Sequence, residues 1–544
     1  MSMTRSRIQA VVLAALLTAV APVAEVGAGT TPHWIRVRVG PDGRHRELFD
    51  TRTGAAFVPR GVNILHDRTF GSFNLDLIVA PGEYDAPWIE EQLTTIERLG
   101  YNTIRVFLDL CPGQCLTNPD ATPKPEWLDN IAALLTAARD HGLVVLLTSN
   151  GLPDDYVAQL PCCDPFHAGF NGQMLSDDGL DLARVYWRQI IGGLLERSAP
   201  LEVVLAYELR NESFFDLHLE PLSLTSGLVT GANGVTYDMA NPAAKLDLVD
   251  DNQIHFADRV RDSIRALDPT ALVTMGFFAP DEPWLVRPGD TRLVRTERFM
   301  RESSMDFFDL HAYANLDLHL WQIVENFTLD ASILQPVIMG EFGSIHPAHA
   351  DAHVAADALA DWMEASCAFG FDGWLSWAWG SLDPSIIKVT EQNLAIAKAL
   401  APLVAPDPCS PPPTLPNLAF GRPVIATSEL PGEEAARAVD SLAFTQWGSG
   451  APPPAEIVID LGGPKTLHEV RLLVEQFPAG STTHRVEVRR PVGGWLLLEK
   501  LTGVTASEQW LRVIPSAPIA GVRWIRIKSQ KSPSWISWRE VQAY

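Results

Sequence analysis

The chain has 544 residues, 47% hydrophobic and 20% charged, with a formal net charge of -24. That length exceeds one ordinary domain, and the composition is globular rather than disordered. The acidic balance argues against nucleic acid or anionic lipid as a partner, since both repel a chain of that sign.

Residues 1–28 read as a secretory signal peptide. Arg5 and Arg7 give a positive start, residues 8–23 form an apolar stretch, and Val26-Gly-Ala28 offers small residues for cleavage. A retained membrane anchor is the rival reading, but the stretch is short for a span. The expectation is a secreted protein, extracellular, with no membrane contact after signal cleavage. Six cysteines fit an oxidising compartment. Cys111 and Cys115 follow one predicted strand and Cys162 and Cys163 the next, so a cross-loop disulfide is expected. Cys367 and Cys409 are candidates to pair and pin the following linker. No His/Cys cluster has the spacing of a zinc site.

In chain order, a short hairpin is expected over 34–58, and 57–63 reads as a first strand. Further strands are predicted at 103–108, 143–147, 202–209, 272–277, 306–311, 336–339 and 373–377. Helices are predicted at 88–99, 126–141, 182–197 and 252–267, the first two stopped by Gly100 and Gly142. Apolar runs of strand length alternating with helices read as buried parallel strands, and eight of them argue for an α/β fold, a (β/α)8 TIM barrel. An open doubly wound sheet would carry a Gly-rich phosphate loop after its first strand, and none is present. Residues 215–248 form a long connection, either a wall of a substrate cleft or an insertion without catalytic meaning.

The stretch 401–417 contains Asp-Pro-Cys-Ser-Pro-Pro-Pro, which forbids helix and favours a semi-rigid spacer. The linker is therefore placed at 404–416, after a barrel domain spanning 34–403. From 417 to 544, short alternating runs at 455–461, 469–474, 484–488, 495–499 and 522–527 read as an antiparallel β-sandwich.

Two glutamates stand just past predicted strand ends: Glu212 after the fourth and Glu341 after the seventh. In a parallel barrel those ends carry the functional residues. A converging carboxylate pair is what glycosidic bond cleavage requires, one to protonate the leaving oxygen and one to attack or to activate water. Asn211 could donate to a sugar hydroxyl. Arg105, His311 and Tyr313 are candidates to keep Glu341 ionised, and the last two share a side by alternation. Singly, each is equally explained as a satisfied core residue. Glu208 lies inside its strand and reads as an ion-pair residue. Trp377 and Trp379 are candidate stacking platforms for a sugar ring, whereas Trp374 fits packing beneath helices.

Residues 34–403 resemble a clan A retaining glycoside hydrolase, closest to family 5, the cellulase family. The matching residues are Arg-Gly-Val-Asn63, Asn-Thr-Ile-Arg105-Val, Asn211-Glu212, His311-Ala-Tyr313, Gly-Glu341-Phe-Gly and Trp377/Trp379. The resemblance implies Glu212 as acid/base and Glu341 as nucleophile, with Arg105 and Tyr313 holding Glu341. It further implies Asn211 on the sugar 2-hydroxyl, His311 lining the site, and double displacement with retention; that chemistry needs only protein carboxylates and water, so no cofactor and no catalytic metal are expected. The expected substrate is a poly- or oligosaccharide with β links, a β-glucan, β-mannan or relative, cut in endo fashion. Two positions depart from the family: Thr148-Ser149-Asn150 stands where many members have a histidine, and Ser213 where proline is usual. Residues 417–544 resemble the discoidin-like galactose-binding fold, including family 32 carbohydrate-binding modules. The matching stretches are Asn417-Leu-Ala-Phe-Gly-Arg-Pro, Ala438-Val-Asp440, Thr445-Gln-Trp447, Glu456-Ile-Val-Ile-Asp460-Leu-Gly and Arg539-Glu-Val-Gln-Ala-Tyr544. The alternative is a non-catalytic carbohydrate-binding or adhesion protein on a hydrolase-like scaffold.

Overall fold

The computed structural model describes residues 31–67, 77–109, 115–161, 166, 169–280, 291–314, 318–346, 348–349, 351–404, 408–409, 417–442, 445–507, 509–515 and 517–544. The expected signal peptide, Cys111, Cys162, Cys163 and most of the Pro-rich linker lie outside them.

A hairpin of Ile35–Val39 and Arg46–Asp50 precedes the barrel. The parallel strands follow as β1 (Arg60–Asn63), β2 (Thr103–Phe107), β3 (Val144–Thr148), β4 (Val204–Glu208), β5 (Val273–Thr274 and Gly276–Phe278), β6 (Phe308–His311), β7 (Val337–Ile345) and β8 (Trp374–Trp377). Neighbouring strands pair in the order β5-β4-β3-β2-β1-β8-β7-β6-β5, a nearly closed parallel barrel. Closure runs through a divided strand. The first half of β5 pairs with β4 and the second half with β6, with Met275 between them. Every residue of β2, β3 and β4 is buried, as apolar runs without alternation require.

Helices alternate with the strands: α1 (Ala86–Arg98), α2 (Pro125–Asp140), α3 (Asp177–Glu196), α4 (Pro242–Leu267), α5 (Glu297–Glu302), α6 (Leu320–Phe327), α7 (Ala352–Ser366) and α8 (Glu391–Ala399). Each long one follows from its own signals. Asp85 caps α1 by accepting from the Trp88 amide at 3.1 Å, and Gly100 beyond it takes φ +83°, a conformation that favours glycine. Buried Trp88, Ile89, Leu93 and Ile96 recur at helical spacing and face the barrel.

Two expectations are corrected. α4 starts at Pro242, ten residues before the predicted 252, so the long connection ends at Asn241. Asn241 accepts from the Ala243 amide and a proline follows it, which is a helix start. The connection itself holds a small hairpin, Leu228–Thr230 with Thr236–Asp238. β7 also runs on to Ile345 rather than ending at 339, because its end pairs antiparallel with Ile386–Ile387.

After the linker, two antiparallel sheets enclose a second core. One has the order 424–426, 455–467, 519–531, 480–489, 496–505; the other 447–448, 537–543, 470–475, 510–513. Ile457, Ile459, Val486, Val488, Ile525 and Ile527 alternate inward and are buried. This unit contacts the barrel directly: Arg471 Nη1 lies 3.2 Å from Glu364 Oε1 on α7, and the Arg539 guanidinium stacks over Trp321 at 5.4 Å. Cys367 and Cys409 form a disulfide, tying the linker to the end of α7. Cys115 is also disulfide-bonded. Among the described residues no helix is long and apolar enough to cross a membrane.

Candidate active site

Arg105 organises the barrel mouth. Leaving β2 toward the barrel axis, its guanidinium is fully buried and directs every N–H at an acceptor. Nε donates to Glu208 Oε2 at 2.8 Å and Nη2 to Glu208 Oε1 at 3.0 Å. Nη1 donates to Asn63 Oδ1 at 2.9 Å and to Glu341 Oε1 at 2.6 Å. Nη2 also donates to Asn211 Oδ1 at 2.7 Å. A buried cation with full charge-assisted hydrogen bonding is stabilised where an unpaired one would not be. The carboxylates facing Arg105 overcome its burial and raise its pKa.

Glu341 is clamped from both sides and buried. Its Oε1 takes the Arg105 bond, and its Oε2 accepts from the Tyr313 hydroxyl at 2.7 Å. Burial raises its pKa, against the pull of His311 and Arg105, while the nearby Glu212 adds to the rise. Burial and the Glu341 charge likewise raise Tyr313, which keeps its proton and donates.

Glu212 is different. It follows β4, its side chain keeps 31% of its exposure, and its backbone takes φ +41°. The flanking amides hold that turn: Asn211 donates to the Ser149 carbonyl at 2.6 Å and Ser213 to the Gly276 carbonyl at 2.8 Å. A left-handed glutamate is sparsely populated and persists only where its surroundings over-determine it. His311 stands between the two glutamates, Nδ1 lying 3.2 Å from Glu212 Oε1 and 3.4 Å from Glu341 Oε2. One oxygen of Glu212, one of Glu341 and a ring nitrogen of His311 all lie within 4.8 Å of one another.

Asn211 has its Oδ1 committed to Arg105. Its Nδ2 makes a long 3.3 Å contact to Asn150 Oδ1, which leaves the amide with donor capacity to spare. Trp377 is half-buried and meets Phe107 edge-on at 5.9 Å. Trp379 is a correction: it is 1% exposed and its indole donates to Gln92 Oε1 at 2.9 Å. β8 ends at Trp377, so the period-two alternation that grouped the two indoles does not reach 379. Of the two indoles, Trp377 keeps exposed surface and Trp379 does not. Trp374 packs beneath the helices, its indole donating to Ser366 Oγ at 2.8 Å.

Two further residues join the site: Asn63, which the resemblance matches at the first strand without a role, and Asp309, which the sequence does not single out. Asn63 fixes Arg105 and donates to the Gly340 carbonyl at 2.9 Å. Asp309 is fully buried on β6, and alternation with His311 and Tyr313 was the signal that could have found it. Glu208, Asp309 and His311 also offer donor atoms within 4.8 Å of one another. Glu208 already accepts from Arg105 and from Thr148 Oγ1 at 2.7 Å, and a guanidinium stands beside it. That donor set suits a buried proton network better than a metal ion.

No protein-family model and no curated protein matches the chain. Among solved structures, an exo-beta-1,4-mannosidase from Opitutaceae bacterium strain TAV5 is similar at 18% identity and a TM-score of 0.45, covering 69% of this chain and 64% of that one. Chitosan-binding module 1 of a chitosanase/glucanase from Paenibacillus sp. IK-5 matches at 25% identity, TM-score 0.21, over 24% of this chain and 99% of the module. A family 32 carbohydrate-binding module of C. perfringens NanJ matches at 18% identity, TM-score 0.21, over 23% of this chain and 93% of the module.

Proposed function

We propose that the chain is a secreted retaining glycoside hydrolase acting on a β-linked glycan. Glu341 is the nucleophile and Glu212 the acid/base. The observation that carries this reading is the pair of carboxylates with oxygens within 4.8 Å and opposite surroundings. Glu341 is gripped by a guanidinium and a phenol, which aims its oxygens. Glu212 is partly exposed, so it can exchange a proton with a leaving group and then with water. Separations of about 5–5.5 Å between carboxyl groups go with retention, and about 6.5–9.5 Å with inversion.

In the first step Glu341 attacks the anomeric carbon while Glu212 gives its proton to the departing oxygen. A glycosyl ester forms on Glu341 and the C–O bond to the leaving group breaks. In the second step Glu212 takes a proton from water, which displaces Glu341. Arg105 and Tyr313 stabilise the carboxylate as it leaves, Asn211 Nδ2 reaches the sugar hydroxyl next to the reacting carbon, and Trp377 supports the ring. The C-terminal sheets are proposed to be a galactose-binding-like module that holds glycan.

The test compares wild type with Glu341→Ala on polymeric β-glucans and β-mannans, with product analysis to read the expected endo action. Hydrolysis by wild type and loss of about 10⁴-fold or more in the variant is the expected outcome. Activity that survives in Glu341→Ala removes the nucleophile assignment. Binding without turnover in wild type favours the non-catalytic alternative.

A further inference from the structure

Asp309 has no part in the two steps above, yet it sits against the residue that bridges the two glutamates. Its side chain is fully buried, and neither carboxylate oxygen accepts a hydrogen bond. Nε2 of His311 is buried and equally without a hydrogen-bond partner. The two groups face each other, Oδ1 of Asp309 lying 3.7 Å from Nε2. On its other side Oδ2 stands 3.6 Å from Arg105 Nε. The neighbouring strand is built around this carboxylate: a Cβ at Gly340 would sit 1.9 Å from Asp309 Oδ1, so only glycine leaves the room.

Buried polar atoms are costly unless they satisfy one another. A ring nitrogen and a carboxylate in this position do so when Nε2 carries a proton and Asp309 is ionised. We propose that Asp309 is a positioning residue that fixes the proton on His311 Nε2 and holds the ring as an imidazolium, its Nδ1–H facing both Glu212 and Glu341. The inference rests on the proposed function for its consequence: the cation offsets the repulsion between the two glutamates and favours an ionised nucleophile.

Charged groups face the ring from several strands. Glu341 from β7 and Glu212 after β4 lie on the Nδ1 side, Asp309 on the Nε2 side, and Glu208 from β4 is near. Arg105 from β2 is the opposing cation, and Tyr313 stays neutral. Burial alone would lower the His311 pKa, but Glu341, Asp309 and Glu212 lift it to about 10. A metal ion is the other occupant to weigh. With Glu208 committed to Arg105 and Thr148, one carboxylate and one ring nitrogen remain, too few for a dication.

The test is a ¹⁵N titration of the histidine rings in the full-length protein without substrate, with His311 assigned by the signal lost in His311→Gln. Wild type should keep both ring nitrogens of His311 protonated through pH 8. In Asp309→Asn the same ring should lose its proton at a pH lower by about one unit or more. On an aryl β-glycoside the variant should lose kcat rather than gain KM. A His311 ring that is neutral at pH 7 in wild type overturns the proposal, whether or not the variant folds. So does a titration unchanged in Asp309→Asn. Because the titration needs no turnover, its failure is distinct from a failure to hydrolyse glycan.

Discussion

At the scale of single residues, the site depends on Arg105. Its planar fork reaches Glu208, Asn63, Asn211 and Glu341 together, which a lysine with one ammonium cannot do. Arg105→Lys is expected to lower the unfolding free energy by about 3 kcal/mol in denaturant melts and to cut kcat by about 10²-fold. An unchanged melt would mean that these bonds do not stabilise the barrel. Glu212 gives a second handle, because its φ of +41° disfavours any side chain with a Cβ. Glu212→Gly should be inactive yet about 1 kcal/mol more stable than Glu212→Ala; equal stability would refute the strain. Sequence reasoning reached Glu212, Glu341, Arg105, Asn211, His311 and Tyr313 because strand ends and alternation put them on one side. Asp309 obeys the same alternation but sits deeper, where a carboxylate reads as core. The left-handed turn at Glu212 has no sequence signal, since nothing but glycine or asparagine announces such a backbone.

At the scale of elements, the strands were legible as uninterrupted apolar runs, and their helices as amphipathic stretches bounded by glycine. The observed boundaries differ from apolar periodicity where local chemistry sets them. Asn241-Pro242 is a cap and first-turn pair that starts α4 well before its strongly periodic part. Trp379 lies beyond the last residue of β8, where strand alternation no longer sets which side a residue takes. The division of β5 at Met275 is a tertiary effect: one short strand must satisfy β4 with one half and β6 with the other. Capping offers a test at this scale. Asp85→Ala leaves the Trp88 amide without its acceptor and should cost about 1 kcal/mol in thermal unfolding without changing kcat. A loss of activity at unchanged stability would show that α1 has a part in catalysis that its cap does not explain.

At the scale of the whole molecule, the two cores meet through an ion pair and a stacked arginine, and a disulfide ties the linker to the barrel. The ion pair and the stacked arginine carry no sequence signal, because they join residues far apart in sequence. Stability should respond to pH through Glu540, which is buried beside the Ser441 amide. Burial lifts its pKa to about 9, above the ordinary 4.5. A raised folded-state value means the stabilisation is complete below about pH 4.5 and is lost as pH rises toward 9. Glu540→Gln should therefore melt higher than wild type at pH 8, with the difference shrinking at pH 4. A gap that widens toward acid would reverse the sign and refute the assignment.

The most direct test of the catalytic reading is covalent trapping. The intact protein is incubated with 2-deoxy-2-fluoro-β-glucosyl and β-mannosyl fluorides, weighed by mass spectrometry and digested. A retaining double displacement through Glu341 should add the mass of one fluorosugar to the peptide containing Glu341, and none in Glu341→Gln. Hydrolysis of a β-glycoside that releases the inverted anomer with no adduct, or an adduct carried on Glu212 instead, would contradict it.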